Sequence, residues 1–108
     1  MTDPSAIDEL LARARSTLDR VQPDDLSDEV ANGAIVVDRN VLEWRLDPSS
    51  PHRLDIATGS DIRFIIVCND GDSSSLAAST LQELGLRRAT DLAGGFQAWR
   101  RIQPQRDR

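Results

Sequence analysis

Cys68 is the only cysteine in this 108-residue chain and the one side chain with strong nucleophilic potential. It closes the β-branched run Phe64-Ile65-Ile66-Val67 and opens the polar turn Asn69-Asp70-Gly71-Asp72-Ser73. A helix-like stretch follows from Ser74 to Leu84 and ends at Gly85. A strand, a loop that begins with a thiol and then a helix present the sulfur to loop N–H groups and to the positive end of a helix. Such a setting favours a thiolate, or an anion attached to it. Successive N–H groups from Asn69 to Ser74 form a nest for that anion, with the Ser73 and Ser74 hydroxyls as further donors. Gly71 allows the loop to curl tightly, and Ser74 is the expected N-cap of the helix. The alternative is a structural cysteine, since a free thiol often packs as a small hydrophobe.

Other chemistries find little support. One cysteine excludes an internal disulfide, and the single histidine, His52, leaves no Cys/His zinc site. His52 lies in the turn-rich stretch 47–61, where nothing orients it toward Cys68 and a solvated loop position is the plainer reading. The net charge of -5 argues against nucleic acid as a partner, because phosphate affinity needs clustered basic charge. All 13 basic residues are arginine; Arg87-Arg88 and Arg100-Arg101 read as solvated pairs. Asp3, Asp8 and Glu9 stand where a signal peptide needs basic charge, and no segment has the length of a membrane span. A lone thiol suits a reducing compartment, so a soluble cytoplasmic protein without membrane partners is expected.

The elements that position Cys68 are legible in outline. A helix is expected to open at Asp3-Pro4, with Ile7, Leu10, Leu11, Ala14 and Leu18 on one stripe and Arg13, Arg15 and Arg20 late, complementing its dipole. Val21 begins a short extended piece. Pro23 to Ala31 reads as a helix stopped by Asn32-Gly33. Ala34-Ile35-Val36-Val37-Asp38 has the continuous apolar character of a strand buried on both faces. Asn40-Val41-Leu42-Glu43 resembles a capping box, with Trp44 and Leu46 following before Pro48. After the Cys68 helix, residues 88–92 form a strand, Ala93-Gly94-Gly95 turns, and a last helix opens at Phe96. The tail from residue 103 is polar. The division is an N-terminal helix over 1–20, a domain over 21–102 and a tail over 103–108. Helices alternating with apolar strands indicate an α/β domain with a parallel sheet.

Residues 64–99 resemble the second half of a rhodanese-homology domain. The likeness rests on Ile65-Ile66-Val67-Cys68-Asn69-Asp70-Gly71, on Ser73-Ser74, on Leu81-Gln82-Glu83-Leu84-Gly85, and on Asp91-Leu92-Ala93-Gly94-Gly95-Phe96-Gln97-Ala98-Trp99. It implies a three-layer α/β/α fold with Cys68 as nucleophile, carrying a sulfane sulfur as a persulfide, and no metal or organic cofactor. Related dual-specificity phosphatases carry a longer loop ending in Arg; the loop from Cys68 to Ser73 has none, and without that clamp phosphoryl transfer is disfavoured.

Two departures from the family pattern matter. Many active members carry Arg or Lys where this chain has Ser73, and Asp70 and Asp72 add carboxylates to the loop. A thiol only modestly more acidic than usual follows, with a neutral donor or a protein persulfide preferred over dianionic thiosulfate, and a thiol or other nucleophile as acceptor. Second, about one helix and one strand of the family's N-terminal half are missing between Asp38 and Phe64, which implies a sheet of four rather than five strands. The uncovered edge raises the expectation of a homodimer. Two functions remain: a sulfurtransferase working through Cys68, or a catalytically reduced rhodanese-like module that binds a partner or senses oxidation. Phe96, Trp99 and Trp44 are core aromatics or an interaction surface.

Overall fold

The computed structural model describes residues 5–42 and 61–103. The expected helix opening at Asp3-Pro4, Trp44, Leu46, the stretch 47–60 with His52, and the tail 104–108 lie outside the described residues.

Helix α1 spans Ala6–Arg15 and is capped by Ser5, whose side chain accepts the Asp8 N–H while the Asp8 carboxylate accepts the Ser5 N–H. This reciprocal box satisfies two orphan donors. The helix ends at Ser16, so Leu18 and Arg20 lie beyond it rather than in its last turn. A 3-10 turn at Pro23–Asp25 leads into helix α2, Leu26–Ala31. Strand β1 is Ile35–Asp38. A second 3-10 turn, Arg39–Val41, starts two residues earlier than a box at Asn40 implies. Its cap is the Asp38 carboxylate, which accepts the Asn40 N–H. Strand β2 is Phe64–Val67, helix α3 is Ser73–Glu83, strand β3 is Thr90–Asp91 and helix α4 is Gly95–Ile102.

Among the described residues the sheet has three parallel strands in the order β1-β2-β3. Ile35 faces Phe64, and Ile65 faces Thr90. A fourth position is reduced to one parallel bridge between Val21 and Leu92. It is held by the Val21 N–H on the Asp91 carbonyl and the Ala93 N–H on the Val21 carbonyl. With Pro23 two residues on, the extended piece is too short to form more of the ladder. Strand β1 pairs directly with the strand that ends at Cys68.

Period-two alternation divides β2 between two layers. Phe64 and Ile66 join Val37, Leu42, Ala77, Ala78, Leu81 and Ala89 on one side, where Leu18 also packs and α1 lies against α3. Ile65 joins Val21, Ala34 and Leu92 on the other, with Leu26, Val67 and Trp99 at its margin. The sheet is thus sandwiched between helices, as expected of a three-layer α/β/α fold. Strand β1 departs from expectation. Val37 is buried but Val36, on the opposite face, is 43% exposed. As the outer strand among the described residues, β1 is packed fully on one face only.

Candidate active site

Cys68 follows β2 directly and is half-buried at the carboxyl end of the sheet. Two backbone donors converge on its sulfur: the Gly71 N–H at 3.1 Å and the Ser74 N–H at 3.4 Å. Burial pushes the thiol pKa up, but the Ser74 and Ser73 hydroxyls and the N–H groups of Ser74 and Gly71 outweigh it, holding the thiol below its ordinary range. The Ser74 hydroxyl has a competing acceptor, the Asp91 carboxylate at 2.8 Å. One proton cannot serve both, so the dependable donors to sulfur are the two N–H groups and Ser73.

The loop is gripped from two sides. Helix α4 takes its carbonyls: the Phe96 N–H donates to Cys68 at 2.8 Å and the Gln97 N–H to Asn69 at 3.1 Å. The Gln97 side chain also donates to Asn69 Oδ1 at 2.9 Å. Carbonyls facing α4 leave the loop N–H groups free to face the sulfur. This close approach explains the glycine pair before Phe96. Gly95 has φ of 65°, and a Cβ there would collide with the Cys68 carbonyl and lie 2.7 Å from the Asn69 oxygen and the Gly71 nitrogen. Gly71 is equally constrained: at φ 88°, its Cβ would meet the Gly94 nitrogen at 2.7 Å.

On the other side stand two arginines from the N-terminal segment and a buried carboxylate. Arg15 Nη2 donates to the Gly71 carbonyl and to Asp72 Oδ1, both at 3.0 Å, and its Nε to Ser75 Oγ at 3.0 Å. Arg20 Nη2 donates to the same carbonyl at 2.8 Å. Asp91 has no exposed surface. It accepts two nitrogens of Arg20 and the hydroxyls of Ser74 and Ser75, the last at 2.7 Å. This network corrects two expectations. Ser74 lies inside α3, whose N-cap is Asp72 with no side-chain cap bond, because its hydroxyl is drawn to Asp91. Of the two loop carboxylates, Asp72 is ion-paired with Arg15, while Asp70 is exposed and accepts only a weak 3.4 Å contact from Asn69. The loop carries no arginine of its own, but two arginines from the N-terminal segment brace it from behind.

The structure therefore brings Cys68, Gly71, Ser73 and Ser74 together around one sulfur. Asn69 serves as an anchor for α4, and Asp70 and Asp72 face outward. Asp91 left one trace in the sequence: an acidic side chain in a short strand, next to Leu92, needs a partner if it is buried. Arg15 and Arg20 left none, since their partners lie more than fifty positions away.

The site is thus a thiol held by loop N–H groups at the end of the central strand of a parallel α/β sandwich. The chain belongs to the rhodanese-like domain family, whose sequence profile matches residues 4–102. The thiosulfate sulfurtransferase GlpE of Ectopseudomonas mendocina (strain ymp) is 31% identical over 99 residues, spanning 82% of this chain and 91% of that protein. The GlpE protein of Pseudomonas paraeruginosa (strain DSM 24068 / PA7) is also 31% identical, over 98 residues, spanning 82% of this chain and 89% of that protein. A solved structure from Rhodopseudomonas palustris CGA009, RPA3614, is described as a protein of unknown function and "Possible Tyrosine Phosphatase". It superimposes with a TM-score of 0.72 at 29% identity, covering 94% of this chain and 93% of that one.

Proposed function

We propose that this protein is a sulfurtransferase that carries a sulfane sulfur on Cys68 as a persulfide. The observation that carries this reading is the convergence of the Gly71 and Ser74 N–H groups on Cys68 Sγ. Donors so placed stabilise an anion on either the first or the second sulfur more than a neutral thiol. In the first half-reaction the Cys68 thiolate attacks the outer sulfur of a persulfide R–S–SH. The donor S–S bond breaks, RS⁻ leaves with the electron pair, and Cys68–S–SH remains. In the second, an acceptor thiolate attacks the terminal sulfur, takes it as its own persulfide and returns the Cys68 thiolate.

Among the described residues, the cleft at the sulfur is lined by Asp38, Asn40, Val67, Asn69, Ser73 and Phe96, with no basic side chain among them. A neutral persulfide, or a protein persulfide presenting basic residues, suits this lining better than thiosulfate. A lone thiol that must stay free to react suits a reducing, cytoplasmic setting. Phosphoryl transfer, suggested by the solved neighbour's description, finds no guanidinium in the loop from Cys68 to Ser73.

Intact-mass spectrometry after incubation with an organic persulfide tests the reading. One added sulfur atom is expected, removable by cyanide and absent in Cys68→Ser. Steady-state rates should favour the neutral donor over thiosulfate. No adduct with any sulfane donor overturns the proposal, and hydrolysis of an aryl phosphate lost in Cys68→Ser replaces it with a phosphatase.

A further inference from the structure

Two clefts meet at Val67 and Phe96. The first, about 400 Å³, contains Cys68. The second, about 190 Å³, is lined by Leu26, Val36, Val67, Leu92, Phe96 and Trp99, every one apolar. Phe96 is 46% exposed and Val36 43% exposed, so the groove is open to solvent. Its walls are nonetheless fixed. Leu92 is buried, Trp99 packs at the margin of the core, and the Phe96 and Trp99 rings lie 5.9 Å apart at 31°. The Phe96 N–H bonds the Cys68 carbonyl at 2.8 Å, which anchors the backbone of Phe96 beside the cysteine. Among the described residues that line the shared cleft, the one ionisable side chain besides Cys68 is the carboxylate of Asp38, which repels an anionic group.

We infer that this groove binds the organic group of an uncharged, apolar thiol whose sulfur reacts at Cys68, the thiol arriving as a persulfide donor or receiving the sulfur as acceptor. The inference rests on the sulfurtransferase reading for its sulfur step, which is the balanced exchange given above with R an aryl or alkyl group. What selects such an occupant is that Val67 and Phe96 line both clefts. A group attached to the reacting sulfur passes Phe96 and Val67 into an apolar trough, whereas a bare inorganic donor leaves the trough unused.

Two measurements test it, the second independent of sulfur transfer. Cys68 persulfide is offered 2-mercaptoethanol or phenylmethanethiol, with rates normalised to uncatalysed reaction with a small organic persulfide. The apolar acceptor is expected to react about tenfold faster, the discrimination typical of one well-buried apolar group. Separately, Cys68 is alkylated by iodoacetamide and by N-benzyliodoacetamide, normalised to the same reagents on free thiol. A similar advantage for the benzyl reagent is expected, reduced severalfold in Val36→Ser. Benzyl preference in alkylation without any sulfur transfer sustains the groove and sinks the sulfurtransferase reading. Equal normalised rates for both reagents, or a preference unchanged in Val36→Ser, overturn the inference. So does a preference that vanishes as protein concentration rises, which assigns the groove to a second copy of the chain.

Discussion

Arg20 holds Asp91 with two nitrogens, Nε on Oδ1 at 2.9 Å and Nη2 on Oδ2 at 3.1 Å, while the same Nη2 reaches the Gly71 carbonyl at 2.8 Å. One guanidinium thus joins a fully buried carboxylate in β3 to the loop that presents Cys68.

Removing that guanidinium strands a buried charge. Arg20→Gln is expected to destabilise the protein by about 3 kcal/mol, since breaking one partner of a buried pair costs far more than losing a surface ion pair. Arg87→Gln, which loses only the exposed contact to Asp61, should cost less than about 1 kcal/mol. Urea unfolding midpoints decide the matter; equal midpoints for the two variants would count against this account of Asp91.

Gly95→Ala is expected to damage stability and chemistry together. The added Cβ collides with the Cys68 carbonyl and must be accommodated at positive φ. A loss of about 2–4 kcal/mol follows from strain and displaced backbone. Slower alkylation of Cys68 should accompany it, because the carbonyls pushed aside are those bonded to α4. Gly85→Ala, at φ 106° but with open space around the Cβ, should cost stability alone.

The legible parts of this protein were those written in local pattern. The apolar run 64–67, the turn after Cys68 and the glycine pair before Phe96 each declare their structure within a few residues, and the site's sulfur, N–H donors and Ser73 follow from them. The arginine brace was illegible because charge at the end of α1 is equally explained by the helix dipole. What distinguishes Arg15 and Arg20 is a carbonyl 56 and 51 positions away. Val36 misled for a related reason: apolar character announces a face that could be buried, not whether another element covers it.

The depressed Cys68 pKa sets a direction for pH dependence. The unfolded thiol titrates higher than the folded one. Between the two midpoints the folded state binds fewer protons, so stability rises with pH across that window. The contribution is complete above the unfolded value and is lost as pH falls through the folded value. Subtracting the urea stability of Cys68→Ser from that of the wild type, pH by pH, isolates it. Ser73→Ala should shift the midpoint of Cys68 alkylation upward by removing a donor to the thiolate; an unmoved midpoint would remove Ser73 from the site.

Thr90 offers a gain rather than a loss. Its Oγ1 is buried without a hydrogen-bond partner. Thr90→Val keeps the shape and β-branching while deleting the orphaned group, and should stabilise the protein by about 1 kcal/mol. Thermal unfolding would show it as a rise of several degrees.

The Gly71 carbonyl, shared by Arg15 and Arg20, ties the rear of the cysteine loop to the N-terminal segment of the chain. Residues near the start of the chain must close a span of more than fifty positions before that carbonyl is fixed, and such long-range closure comes late because its entropy is lost before any contact compensates. A partly opened chain therefore lacks the two-arginine brace behind the cysteine loop. Docking of the N-terminal segment thus adds a long-range hold, made late, to a loop whose own N–H groups converge on the sulfur.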